Sequence, residues 1–248
     1  MKSLGRIALV TGGMGGIGTA ISQRLYKEGF KVIVGCSADS ARKNDWIATQ
    51  LAAGYQFECV YGDITDWEST RKAFEMAREQ FGPIDVLVNN AGITRDASFR
   101  KLTHEDWNAV IGTNLSGVFN TTKQVIEGML AKGWGRVINI SSINGQRGQF
   151  GQTNYSAAKA GIHGFTMAMA REVSGKGVTV NTVSPGYIQT SMTAAIRPDI
   201  LDSMIAATPV GRLGQPEEIA SIVAWLASDE SGYSTGADFS VNGGMNMQ

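Results

Sequence analysis

The sequence predicts an α/β protein built on one doubly wound parallel sheet of about seven strands, with helices on both faces. Two observations predict it. Short β-branched runs alternate with longer segments of helical period along the whole chain, the pattern of successive right-handed βαβ units. Strands that are apolar throughout suit a parallel sheet covered on both faces. The 248 residues, 43% of them hydrophobic, suit a single domain spanning 1–248.

The strands are expected at 6–11, 31–35, 56–62, 84–90, 135–141, 178–186 and 237–244, and the helices at 16–29, 40–53, 66–81, 103–132, 153–174 and 216–228. Neither a repeat of solenoid period nor a low-complexity tract interrupts them. One segment breaks the rhythm. Residues 188–213 are weakly helical, methionine-rich and interrupted by Pro198 and Pro209. They follow a strand end, where open α/β sheets bind ligands, and are read as a helical lid, with a surface helix pair as the alternative.

Composition excludes several functions. Charged residues make up 18% and the formal net charge is zero, so no nucleic-acid partner is expected. Cys36 and Cys59 read as small core residues, and with His104 and His163 far apart no metal site is spelled out. The apolar run near the N-terminus is too short for a signal peptide, and no stretch approaches the ~20 residues of a membrane span. A cytoplasmic location is the expectation.

Thr11 to Gly18 reads TGGMGGIG between the first strand and the first helix. That context turns a glycine cluster into a nucleotide motif, because helix N-terminal amides and the positive dipole end receive a pyrophosphate. Two registers fit: Gly13, Gly15 and Gly18, or Gly12, Gly16 and Gly18, with Ile17 inside the loop. The second strand ends at Gly35-Cys36-Ser37 without the carboxylate that would hold a ribose 2′-hydroxyl; Ser37, Arg42 and Lys43 suit a 2′-phosphate instead, which favours NADP(H). Asp39 is the counter-indication. Gly62, Asp63 and Ile64 end the third strand, with Asp63 as an adenine contact or as a helix N-cap. Asn90, Ala91, Gly92 and Ile93 follow the fourth strand and bring small residues and an amide to the cofactor.

Tyr155 and Lys159 lie four residues apart on a predicted helix, so they share a face. A nearby ammonium favours the phenolate, so Lys159 is expected to lower the Tyr155 pKa and let it exchange a proton with a substrate oxygen. A serine at the end of the fifth strand, thirteen residues before Tyr155, completes the set. Ser141 and Ser142 are both available, and adjacent strand residues point to opposite faces.

T-G-x-x-x-G-x-G, N-N-A-G, an Asn early in the middle helix, S-x12-Y-x3-K and P-G occur in this order. Over essentially its full length the sequence resembles the short-chain dehydrogenase/reductases, which implies a Rossmann-type fold and an NADP-dependent oxidoreductase acting on CH–OH. The family spacing selects Ser142, which would hydrogen-bond the substrate carbonyl and, in the transition state, the developing alkoxide. The resemblance also implies that Asn114 anchors a water on a proton relay, that Lys159 holds the nicotinamide ribose, and that Pro185, Gly186 and Ile188 flank the nicotinamide amide. "GQFGQTNYSAAKAGIHGFTMA" and "PGYIQT" are similar to the acetoacetyl-CoA reductases of polyhydroxybutyrate synthesis. NADPH reduction of acetoacetyl-CoA to 3-hydroxybutyryl-CoA is therefore expected. The alternatives are reduction of 3-oxoacyl groups on acyl carrier protein, with Arg95, Arg100, Lys101 and Arg147 as a basic patch, and a non-catalytic NADP-sensing protein.

Around the chemistry, Phe150 and Tyr187 are expected as apolar walls. Gln149, Gln152 and Asp96 would fix the thioester arm, and Arg197 would pair with a CoA phosphate. The helix at 153–174 is apolar on more than one face, as a subunit interface requires, and similar enzymes are usually homotetramers.

Overall fold

The computed structural model describes residues 5–37, 43–190, 193 and 197–247. Seven strands form one sheet in the order β3-β2-β1-β4-β5-β6-β7, every neighbouring pair parallel. They are β1 (Ile7–Thr11), β2 (Lys31–Cys36), β3 (Glu58–Tyr61), β4 (Val86–Asn89), β5 (Gly135–Ile140), β6 (Val178–Pro185) and β7 (Asp238–Val241). The winding reverses between β1 and β4, which opens a crevice at their carboxyl ends.

Period-two alternation builds the core. Ala8, Val10, Val32, Val34, Val86, Val88 and Ile138 point to one face and join α1 (Gly16–Lys27) and the helix Pro216–Leu226. Ile7, Leu9, Ile33, Leu87 and Val137 point to the other, against α3 (Trp67–Phe81) and the helices Gly117–Lys132 and Thr153–Val173. Between α1 and α3 lies α2 (Lys43–Ala52), whose Trp46 stacks on Phe57 at 5.5 Å.

Local signals end these helices. The Asp66 carboxylate accepts from Ser69 N–H at 2.6 Å and caps α3. Thr103 does the same for α4 (His104–Ile111). The long helix expected at 103–132 is broken: a π-helical turn, Gly112–Ser116, separates α4 from α5 (Gly117–Lys132). α5 stops at Gly133, which is left-handed at φ 67°.

α6 (Ile143–Arg147), which has no sequence signal of its own, precedes α7 (Thr153–Val173). In the lid segment Pro198 opens α8 (Pro198–Ala206) instead of interrupting a helix, because a proline needs no partner for its missing N–H there. α9 (Pro216–Leu226) begins with a capping box between Gln215 and Glu218.

The amino-terminal rim of the sheet is closed by charge. Asp85, 3% exposed, accepts from Ile7 N–H at 2.9 Å and from Lys132 at 2.5 Å. Arg6 and Arg136 lie over the Trp134 ring at 3.6 and 4.4 Å. Among the described residues no helix is long and apolar enough to cross a membrane, and no group of His, Cys, Asp or Glu is placed to hold a metal ion.

Candidate active site

A cavity of about 290 Å³ lies over the carboxyl ends of β1, β2, β3 and β4. Gly12, Ser37, Gly62, Asp63, Ile64, Ala91, Gly92 and Ile93 line it, as do Cys36, Val60 and Thr113. Gly12 adopts φ 61°, and a Cβ there would meet Ala91 Cα at 2.9 Å. A Cβ on Gly18 would collide with the Gly12 carbonyl oxygen, whereas Gly15 has room. The close approaches therefore favour the register of Gly12, Gly16 and Gly18. Asn90 braces this loop, its Nδ2 donating to the Thr11 and Gly12 carbonyls at 3.0 and 3.1 Å. Thr11 Oγ1 accepts from Asn90 and Ala91 N–H, tying the ends of β1 and β4 together.

The cradle fits a dinucleotide. The first turn of α1 carries no acidic residue and Gly15 gives it no side-chain cap, so its amides face the loop without a competing carboxylate. Ile17 instead packs on the core. Asp63 is not the helix cap, a role Asp66 takes; its Oδ1 accepts from Thr65 N–H and hydroxyl at 2.8 and 2.7 Å. Lys43 is turned to Tyr61, its Nζ 3.9 Å from the ring centre. Arg42 and Asp39 lie outside the described residues. Cys36 and Cys59 are half-buried rather than core, and burial pushes the Cys36 thiol up to about 11, so it stays protonated at neutral pH.

Beyond the cavity, β5 and α7 bring Ser142, Tyr155 and Lys159 together. Ser142 stands beside Tyr155, close enough to favour its phenolate, and its Oγ accepts from Asn144 N–H at 3.1 Å. Ser141 points the other way and donates to the Lys159 carbonyl at 2.8 Å. Lys159 is 4% exposed, and its Nζ donates to the Ile140 carbonyl at 2.7 Å.

The expected lowering of the phenol is not what this arrangement produces. Burial pushes the Tyr155 pKa up, opposed by the Ser142 hydroxyl, and the Asp96 charge adds to the rise. Lys159, its ammonium given to Ile140, is itself lowered to about 8 by burial. Desolvation is the largest cause of both shifts.

Asn114, fully buried in the π-helical turn, binds Ile93 twice: Nδ2 donates to its carbonyl at 2.9 Å and Oδ1 accepts its N–H at 2.8 Å. A Cβ on Gly92 would lie 3.3 Å from Asn114 Oδ1 and 3.6 Å from Lys159 Nζ, so all three meet at one point. Pro185 ends β6, Gly186 N–H donates to Val241, and Ile188 is buried in a bridge to Gly214.

The residues expected around the substrate divide. Gln152 donates to Asp96 at 2.8 Å and accepts from Asn144 at 2.9 Å, a chain that reaches the Ser142 turn. Tyr187 accepts from Arg147 at 3.4 Å. Gln149 is exposed, and Phe150 is 88% exposed, a rim rather than a wall. Arg197 is exposed and paired with Asp199 at 2.7 Å. Sequence reasoning does not single out Asn144 or Thr113. The first sits on a helix without a periodic pattern, and the second enters the cavity through the π-helical turn.

Residues 6–201 match the family described as short chain dehydrogenase. An acetoacetyl-CoA reductase of Cupriavidus necator is 64% identical over 242 residues, 98% of either chain. One from Allochromatium vinosum is 54% identical over 98% of this chain and the whole of its own. A 3-oxoacyl-[acyl-carrier-protein] reductase of Salmonella typhimurium is 47% identical over the whole of both chains. A seven-stranded Rossmann-type sheet, a glycine loop on its crevice and this likeness agree: the chain belongs to the short-chain dehydrogenase family, oxidoreductases that act on a CH–OH group with a nicotinamide cofactor.

Proposed function

We propose that the chain uses NADPH to reduce the C3 ketone of acetoacetyl-CoA to 3-hydroxybutyryl-CoA, as in a polyhydroxybutyrate-type pathway, and that it works in the cytoplasm as a homotetramer. The observation that carries the reading is the meeting of Ser142, Tyr155 and Lys159 beside the nucleotide-sized crevice. The names of the relatives at 64% and 54% identity support the thioester.

A nicotinamide cofactor, when bound in the crevice, would supply the hydride for the carbonyl carbon. Tyr155 gives its proton to the ketone oxygen as negative charge builds there. Its raised pKa suits this direction, since the phenol stays protonated through neutral pH. Ser142 donates a second hydrogen bond to the same oxygen and holds the developing alkoxide. Lys159 and Asn114, both against Gly92, restore the proton through a bridging water. Lys159 also holds the nicotinamide ribose. Gly12, Gly13, Gly15, Gly16 and Gly18 receive the pyrophosphate, and Ser37 with Arg42 receives the 2′-phosphate. Asp96, Gln152 and Tyr187 orient the thioester arm.

Reduction of acyl-carrier-protein substrates is the second reading, favoured by the Salmonella relative. The non-catalytic alternative has no observation on its side. One turnover matrix tests the assignment: NADPH and NADH crossed with acetoacetyl-CoA and a longer acyl-carrier thioester, for the native chain and Tyr155→Phe. The expected result is fastest turnover with NADPH and acetoacetyl-CoA, and loss of about 10³-fold or more in Tyr155→Phe with NADPH binding kept. Preference for NADH, preference for the carrier thioester, or full activity without the phenol hydroxyl overturns the corresponding part.

A further inference from the structure

His163 stands one turn beyond Lys159 on α7, and its Nε2 lies 2.9 Å from Ser141 Oγ, 3.3 Å from Ser184 Oγ and 3.5 Å from Asp238 Oδ2. The protons around it can be accounted for. Ser141 donates to the Lys159 carbonyl at 2.8 Å, and Ser184 donates to Asp238 Oδ1 at 2.7 Å. A carbonyl and a carboxylate only accept, so both hydroxyl protons are committed. All three neighbours of Nε2 are therefore acceptors, and Nε2 carries a hydrogen in either charge state of the ring.

The carboxylate that shares Nε2 with the two serines is itself fixed. Gln146 donates from Nε2 to Asp238 Oδ2 and to Ser240 Oγ, both at 2.7 Å, and Asn246 donates to Gln146 Oε1 at 3.0 Å. Ser141, Ser184 and Asp238 thus converge on one ring nitrogen, and the shortest approach is to Ser141. Ser141 adjoins Ser142 along the backbone and grips Lys159 from the other side. The helices leave little slack there: a Cβ on Gly145 would come 2.8 Å from the Lys159 carbonyl carbon.

We infer that His163 is a positioning residue for the reduction. Its Nε2–H, held among Ser184 and Asp238 and closest to Ser141, orients the Ser141 hydroxyl and through it the backbone that carries Ser142 and Lys159. His163 touches no reacting atom. The inference rests on the roles proposed above for Ser142, Tyr155 and Lys159.

A glutamine amide reaches about as far as imidazole Nε2 and keeps the donor, whereas leucine keeps bulk without a donor. Steady-state turnover of His163→Leu, His163→Gln, Ser141→Ala, the Leu–Ala double variant and Tyr155→Phe is measured together with thermal midpoints. His163→Leu is expected to lower kcat about tenfold with both KM values nearly unchanged, since small misplacement of reacting groups acts on kcat. His163→Gln is expected to restore most of it. Ser141→Ala is expected to match His163→Leu, and the double variant to lose no more than either, because one chain is cut twice. Native kcat in His163→Leu, no rescue by glutamine, or additive losses overturn the inference. If His163→Leu does not fold, the glutamine and Ser141→Ala variants decide it alone: native kcat in Ser141→Ala, or a loss in His163→Gln as large as that in Ser141→Ala, overturns it. Full activity in Tyr155→Phe would instead sink the underlying reading of the site.

Discussion

Lys159 is a cation almost wholly shielded from bulk solvent, with the Ile140 carbonyl as its hydrogen-bond acceptor. Its pKa falls from an ordinary 10.5 to about 8. The sign of the consequence follows from proton counting. Below pH 8 both folded and unfolded chains carry the charge, and the folded chain bears the full cost of burying it. Between about 8 and 10.5 the unfolded chain binds more protons than the folded one, so stability rises with pH. In chemical denaturation, native protein compared with Lys159→Met should gain about 3 kcal/mol across that window; a difference that stays flat with pH would show that the ammonium is not desolvated. Burial also explains where motif reading fails at this scale. The Y-x3-K spacing places the two side chains on one face, but it cannot show that the lysine turns to a carbonyl and that desolvation dominates the phenol.

The strands are legible in the sequence because they are buried on both faces. β1 and β4 are buried along their whole length, so their apolar runs stand out against polar neighbours. Leu87, fully buried in β4 between the layers of the sheet, tests that packing: Leu87→Ala should cost about 2–5 kcal/mol in denaturant midpoints without changing nucleotide affinity. Elements that depend on contacts rather than period are not legible. α6 is five residues long and exists because Ser142 caps it and α7 packs against it, neither of which leaves a repeat in the sequence. The π-helical turn at Gly112–Ser116 lies inside an otherwise helical pattern. Its signal is chemical rather than periodic: it aims Asn114 at Ile93, which an uninterrupted α-helix would not need to do. The pairing of Arg197 with Asp199 two residues away is likewise a contact that no period announces.

At the scale of the molecule, the face of α7 away from the sheet is the informative surface. Ile162, Ala158 and Ala170 are buried, while Ala157, Ala160, Gly164, Met167 and Ala168 are exposed. Phe119, 51% exposed, stacks on Trp67 along neighbouring helices. So much apolar surface on adjacent elements is the reason a second subunit is proposed there. Sedimentation at working concentration should give four times the mass of the chain, and a monomer would remove the proposal. The two rims of the sheet differ in what they carry. The cavity, Ser142 and Tyr155 sit at the carboxyl rim, whereas Asp85, Lys132 and the Arg6–Trp134–Arg136 stack close the opposite one. Durability and turnover are thereby written in separate places on the polypeptide. An engineer could harden the bottom of this protein without retuning its top, and selection has had the same freedom.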